Sequence, residues 1–243
     1  MTFKNHPFAV NAFFEHSLVI TFAIPKTQVA GIIPECLELD LLRNEWAFLA
    51  VAMVQTKNLR PAGFPKWMGN DFFLIGYRIF VRYHTCSGKR LRGLYILQSE
   101  TDSHKMSFLG NIFTHYTYST TDISVVVDDK SRTVRSRKSA FEIAIEHCPD
   151  DAPLPADSPF ADWKEARKFA GPLPYTFGYD KIKKEVVIVE GVRRSWKPVP
   201  VMVNSYSVGF IDRLDLSPAV LASAFEISNI PYRWKKGRVE KWM

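Results

Sequence analysis

FFLIGYRIFVRY, residues Phe72–Tyr83, alternates along its whole length, with Ile75, Tyr77, Ile79, Val81 and Tyr83 against Leu74, Gly76, Arg78, Phe80 and Arg82. A period of two places the first set on one face of a β-strand and the second on the other. The first face is wholly apolar; the second carries two arginines. Outward from this strand the same texture recurs in Ser17–Ile24, Leu91–Ser99, Tyr175–Asp180, Glu185–Glu190 and Val201–Gly209, separated by connections of hairpin length. Leu37–Leu42 and Glu45–Val54 flank Arg43-Asn44 as a hairpin would. Thr117–Val127, Arg132–Arg137 and Phe141–Glu146 read as a meander. Helical expectations are few: Lys26–Ile33 after Pro25, Lys105–Phe113, Pro159–Ala170 with Ser158 as cap and Gly171 as stop, and AVLASAFE after Ser217-Pro218. Gln55–Asp71, rich in turn formers, reads as a long loop, and Lys236-Gly237 as the tip of a closing hairpin whose Trp234 and Trp242 pack on the body. Many antiparallel strands with few short helices place the chain in the mainly β or α+β class, as a barrel or sandwich.

The chain has 243 residues, 47% of them hydrophobic and 14% aromatic, enough for a substantial core in one large domain or two small ones. Pro149–Pro159, acidic and proline-rich, is the best internal boundary. Trp46–Val54 is the longest uninterrupted apolar run, far short of the roughly 20 residues a membrane-spanning helix needs. The start of the chain lacks the pattern of a secretory signal. Cys36, Cys86 and Cys148 are odd in number and widely spaced, as reduced thiols in a cytoplasmic protein would be. The formal charge is +7, with cations gathered in 130–138 (KSRTVRSRK) and 232–242 (YRWKKGRVEKW). Such segments can serve a nucleic-acid or anionic surface, but a hydrated hairpin end and a packed closing hairpin are the simpler readings.

Several chemistries lose support. Gly88-Lys89 is followed by Arg90 and lacks the upstream glycine of a phosphate-binding loop, and neither GxGxxG nor GxSxG occurs. The histidines at 6, 16, 84, 104, 115 and 147 include no pair three to five apart, so no helix-borne metal site is expected.

Phe22–Asp40 (FAIPKTQVAGIIPECLELD), Trp46–Pro65 (WAFLAVAMVQTKNLRPAGFP), Phe72–Val81, Leu173–Tyr179 and Trp196-Lys197-Pro198 resemble, in order and spacing, an uncharacterised family within the acetoacetate decarboxylase-like superfamily. The resemblance spans most of the chain and implies one domain over 1–243. It also implies a cone-like antiparallel β-barrel with small peripheral helices and an apolar interior cavity for a small organic acid or carbonyl compound, with no cofactor.

In the superfamily's decarboxylases a lysine beside a second lysine forms a Schiff base with a β-keto acid, a case used as a general example of a desolvated nucleophile. Aligned on that motif, this chain reads Phe113-Thr114-His115-Tyr116-Thr117, with no lysine from Met106 to Asp129. Imine chemistry is therefore not expected, and any catalysis would be acid–base chemistry of lyase or hydrolase type. Tyr116, at the nucleophile's place, can donate a hydrogen bond or act as an acid, or be a core tyrosine with its hydroxyl on a partner. His115 can shuttle a proton or serve the structure alone. The family's strand arginine is retained as Arg78, although the acidic residue common before it is Leu74 here. Between Gly76 and Phe80, Arg78 either grips a carboxylate in a pocket roomy above the glycine or points to solvent, the opposite face then lining the cavity. Glu100 can pair with such an arginine, act as a base, or end its strand in solvent. The first functional expectation is thus a small-molecule binder built around Arg78, Tyr116, His115, Glu100, Gly76 and Phe80. The alternatives are a nucleic-acid or anionic-surface binder using 130–138 and 232–242, and a structural or homo-oligomer-forming module with a filled interior.

Overall fold

The computed structural model describes residues 3–147, 153–171, 173–193 and 196–242. In chain order the elements are β1 (Val10–Pro25), α1 (Lys26–Val29), β2 (Glu38–Leu39), β3 (Trp46–Pro61), β4 (Asn70–His84), β5 (Arg90–Thr101), α2 (His104–Phe113), β6 (Tyr118–Thr120), β7 (Ser124–Val127), β8 (Ser131–Ser136), β9 (Phe141–His147), α3 (Trp163–Ala170), β10 (Tyr175–Asp180), β11 (Glu185–Arg193), β12 (Val199–Val208), α4 (Gly209–Arg213), β13 (Val220–Trp234) and β14 (Arg238–Lys241). The fold is mainly β with few short helices. Cys148 and residues 149–152 of the expected boundary lie outside the described residues.

β11, β10, β5, β4, β3, β1 and β13 are neighbours in that order, and Gly191–Arg193 of β11 pairs with Tyr232–Trp234 of β13 to close them into a ring. Most pairings are antiparallel, but β6 and β10 run parallel to β5. From β13 the ladder continues through β12, β9, β8 and β7. The apolar face of β4 supplies a core: Ile75, Tyr77, Ile79, Val81 and Tyr83 are all at most 1% exposed and cluster with Leu18, Ile20, Phe22, Leu49 and Val51 from β1 and β3. Burial of each such side chain contributes about 1.5–3 kcal/mol, which fixes the register, because a one-residue slip would turn this set outward. The other face of the same strands meets α3 and the segment leading into it, where Phe48 stacks on Phe160 at 5.1 Å.

Several boundaries differ from the sequence-based expectation. Gln55–Asp71 is not one long loop: β3 runs on to Pro61, accommodating a bulge at Asn58 (φ 53°), a residue type that tolerates the left-handed region. The turn formers are confined to 62–69, with a short 3-10 helix at Lys66–Met68. Thr117–Val127 divides into β6 and β7, because Thr121 and Asp122 turn the chain by bonding to Ser136, Ser139 and the amide of Lys138. Arg43-Asn44 does form a left-handed turn, but β2 pairs with β4 rather than β3.

α3 begins at Trp163, capped by Asp162 accepting from the Glu165 amide at 2.7 Å; Ser158 instead donates to the carbonyl of Ala222. AVLASAFE is strand, not helix. It opens β13, which pairs with β1 from Ala23↔Val220 to Val10↔Trp234, and this long ladder overrides the helix propensity of its alanines. The C-terminal segment is not a hairpin, since β14 pairs with β11. Trp234 and Trp242 do pack on the body, against Phe14 and Tyr179. No helix is long and apolar enough to cross a membrane among the described residues.

Candidate functional site

A cavity of about 140 Å³ is lined by the Leu74–Arg78–Phe80 face of β4 together with residues of the other ring strands. The α3–β10 connection and the Trp196–Pro198 segment supply the rest of its wall. The more apolar face of β4 is packed solid, so the arginine-bearing face is the one with space.

Arg78 is the centre of this cavity's chemistry. It stands where the β4–β5 ladder slips: Tyr77 pairs with Gln98 and Arg78 with Ile96, leaving Leu97 between them. Such a bulge re-aims the neighbouring side chains. Arg78 is partly buried in the cavity wall, and burial pulls its pKa down, opposed by Tyr232, Tyr118 and Tyr116. Its Nε is buried without a hydrogen-bond partner, and no carboxylate lies within ion-pair distance of it among the described residues. Arginine does not relieve such a situation by losing its proton, so the cavity keeps a positive charge with strong attraction for an anion.

Gly76 is the reason the guanidinium can lie where it does. A Cβ built on Gly76 would sit 3.1 Å from Arg78 Nε and 3.2 Å from Nη2. The room above the glycine is thus occupied by Arg78 itself. Phe80, farther along the strand, lines the cavity.

Tyr116 reaches the same cavity, and its hydroxyl lies 2.7 Å from Thr176 Oγ1 on β10. Burial is the main cause that pushes its phenol up to about 12, with the Thr176 bond and Arg78 acting the other way. It is therefore neutral near pH 7, a hydrogen-bond donor rather than a base. Tyr118 is shifted upward by the same cause. α2 sets both rings: Ser103 caps the helix at the Met106 amide, and Asn111 bonds the Tyr118 amide and carbonyl at 2.8 Å each.

The other two expected residues do not join this group. His115 faces a separate small space with Lys4, His6 and Gly178; burial, then Lys4, lowers its pKa, and its Nε2 has no partner. Glu100 is 3% exposed rather than in solvent. It accepts from the Tyr77 hydroxyl at 3.0 Å and from Gln98 Nε2 at 3.1 Å, on the face opposite Arg78. Sequence reasoning also missed Thr176, Tyr118, Tyr232, Arg193 and Trp196. Of these, Arg193 lies 5.0 Å above the Trp196 ring and donates to the Tyr232 hydroxyl at 3.4 Å. The only hint was aromatic residues interleaved with cations.

Half of the ten cations in the two basic segments are paired with carboxylates of the fold. Arg132 is bound to Glu226 at 2.6 Å and Arg135 to Glu142 at 3.0 Å. Lys235 pairs with Glu190 at 2.9 Å, Lys241 with Glu185 at 3.0 Å, and Arg238 with Glu240. No three His, Cys, Asp or Glu side chains come together as metal ligands among the described residues.

Among solved structures, acetoacetate decarboxylase from Legionella pneumophila subsp. pneumophila str. Philadelphia 1 superposes with a TM-score of 0.62 at 12% identity, covering 96% of this chain and 88% of that one. An acetoacetate decarboxylase-like enzyme from Sphingomonas wittichii RW1 gives 0.62 at 10% identity, over 97% and 93% of the two chains. The enduracididine biosynthesis enzyme MppR, complexed with pyruvate, gives 0.61 at 9% identity, over 96% and 90%. At these identities the likeness establishes the fold. No curated protein matches the sequence. The DUF2071 family model, described as an uncharacterized conserved protein, matches residues 12–225. With most of its length inside that match, this chain belongs to the DUF2071 family and has the acetoacetate decarboxylase-like fold.

Proposed function

We propose that the cavity binds a small, partly apolar carboxylate or carbonyl compound, with Arg78 as the anion anchor and Tyr116 as a hydrogen-bond donor beside it. The observation that carries this reading is the guanidinium of Arg78, enclosed in the cavity wall without a carboxylate of its own. A buried charge left uncompensated is costly, and a ligand anion would compensate it. The pyruvate complex of MppR, a protein of the same fold, supports the ligand class. An Arg78–carboxylate pair would be bidentate and directional.

No lysine lines the cavity among the described residues, so a Schiff base is not part of the proposal. Any turnover would rest on the neutral phenol of Tyr116 as acid or donor. The open cavity also argues against a purely structural module, which would need a filled interior.

A thermal-shift screen of small carboxylates and carbonyl compounds tests the reading, since a ligand of the native state raises the melting temperature by mass action. A stabilising ligand is expected whose effect vanishes in Arg78→Ala and weakens in Tyr116→Phe. Hits indifferent to both changes would sink it. Borohydride added with a keto acid should leave the protein mass unchanged.

A further inference from the structure

The anion anchor accounts for one end of a ligand; the rest of the cavity has its own chemistry. Much of the wall is apolar, with Val54, Leu74, Phe80, Leu94, Ile96 and Phe225 among its residues, while its polar groups include the Tyr116 hydroxyl, Ser99 and Thr176. The space is about 140 Å³, close to the roughly 150 Å³ of a dry apolar cavity that holds one benzene molecule. Acetate or pyruvate on Arg78 would leave much of this wall without contact atoms, forfeiting dispersion and apolar burial.

Besides Arg78, the charged side chains lining the cavity among the described residues are Glu226, Arg193 and Arg167, and each is already engaged or at the rim. Glu226 is held by Arg132 at 2.6 Å, Arg193 lies over Trp196 and bonds Tyr232, and Arg167 is an exposed residue of α3. Resting on the reading of Arg78 as anion anchor, we propose that the cavity takes a monocarboxylate whose apolar body is about the size of a benzene ring, benzoate and phenylacetate being the simplest examples. The carboxylate sits on Arg78, and the body lies against Phe80, Leu94 and Ile96.

Calorimetric titration of the full chain with benzoate, phenylacetate, acetate, pyruvate, phthalate and benzyl alcohol decides it. Each buried methylene equivalent is worth roughly fourfold in affinity, so benzoate or phenylacetate should bind at least roughly tenfold more tightly than acetate or pyruvate. Phthalate and benzyl alcohol should be weak. Ala50, paired with Arg78 in the β3–β4 ladder and part of the wall, gives the space-filling variant: Ala50→Leu should cost benzoate roughly tenfold or more while acetate is little changed. Leu94→Ala, which enlarges the same space, should move the preference toward phenylpropionate, and it guards against misfolding of the first variant. Acetate or pyruvate binding as tightly as benzoate would overturn the ring-sized body and leave the anchor standing. Phthalate binding more tightly than benzoate would overturn the single charge. Benzyl alcohol matching benzoate, or no acid binding at all, would remove the anchor reading together with this one.

Discussion

Arg78 and Arg82 stand on the same face of β4 and live in opposite electrostatic settings. Arg82 pairs across the ladder with Arg92 of β5, a like-charge contact that would repel on its own. Asp40, 0% exposed, lies between them, ion-paired with Arg82 and accepting from Arg92 Nε at 2.6 Å. Arg92 also donates to the Phe169 carbonyl at 3.1 Å and lies 5.0 Å above that ring. Around Arg78 stand the phenols of Tyr116, Tyr118 and Tyr232 and a wall that is apolar in large part, with no carboxylate in ion-pair contact among the described residues. One cluster is closed by the protein's own carboxylate; the other lacks one among the described residues, and under the proposed function a ligand would supply it. On that proposal the contrast separates an arginine that serves the fold from one that serves a ligand, although their sequence contexts are alike.

The largest effect should come from breaking the closed cluster. Asp40→Asn leaves two guanidinium groups facing each other and should lower stability by about 3 kcal/mol in urea unfolding, toward the low end for a broken buried pair because both arginines are partly exposed. A loss under about 1 kcal/mol would erase the contrast. Arg78→Met should act in the opposite sense: with an unpaired buried charge replaced by a matching apolar chain, stability should hold or rise by about 1 to 2 kcal/mol, while benzoate no longer shifts the melting temperature.

Tyr116→Phe removes the hydroxyl on Thr176 and should cost about 1 kcal/mol. The phenol's pKa is raised in the folded state, so its contribution is fully present below the ordinary value of 10.0 and is lost as pH climbs toward about 12. Denaturation followed across that window should show a shallower alkaline decline in Tyr116→Phe than in the wild type. Smallest in stability is Gly76→Ala, whose methyl pushes on the Arg78 Nε. It should leave the fold within about 1 kcal/mol yet weaken benzoate severalfold, and unchanged affinity would mean that the guanidinium does not need its place above the glycine.

The alternation of Phe72–Tyr83 made β4 and its packed face legible, because a two-residue period depends on nothing beyond the strand. Arg78 was legible as a candidate for the same reason. That it has no counter-ion among the described residues was not, since its neighbours Tyr116, Tyr118 and Tyr232 come from distant segments that only the folded ring assembles. Glu100 illustrates the same limit. Its residue type suggested a partner for Arg78, but the bulge at Ile96–Gln98 and the bond from Tyr77 place it on the far face. AVLASAFE was misread because local propensity favours helix for alanine-rich stretches, and only the ladder with β1, more than 200 residues away in the chain at its far end, makes it strand (Val10↔Trp234).

That ladder also sets an order of events. β1 emerges before the other strands of the ring during synthesis and β13 after them, yet they are neighbours in it. β1 can pair with β3 as a nascent chain, but its other edge stays open until residues 220–234 arrive. Contacts so distant in sequence are slow to form, and an unpaired apolar strand is prone to associate wrongly while it waits. The cavity around Arg78, walled in part by Tyr232 and Trp234, is complete only once β13 has joined the ring, so a ligand that fits it would stabilise the closed ring rather than an open one.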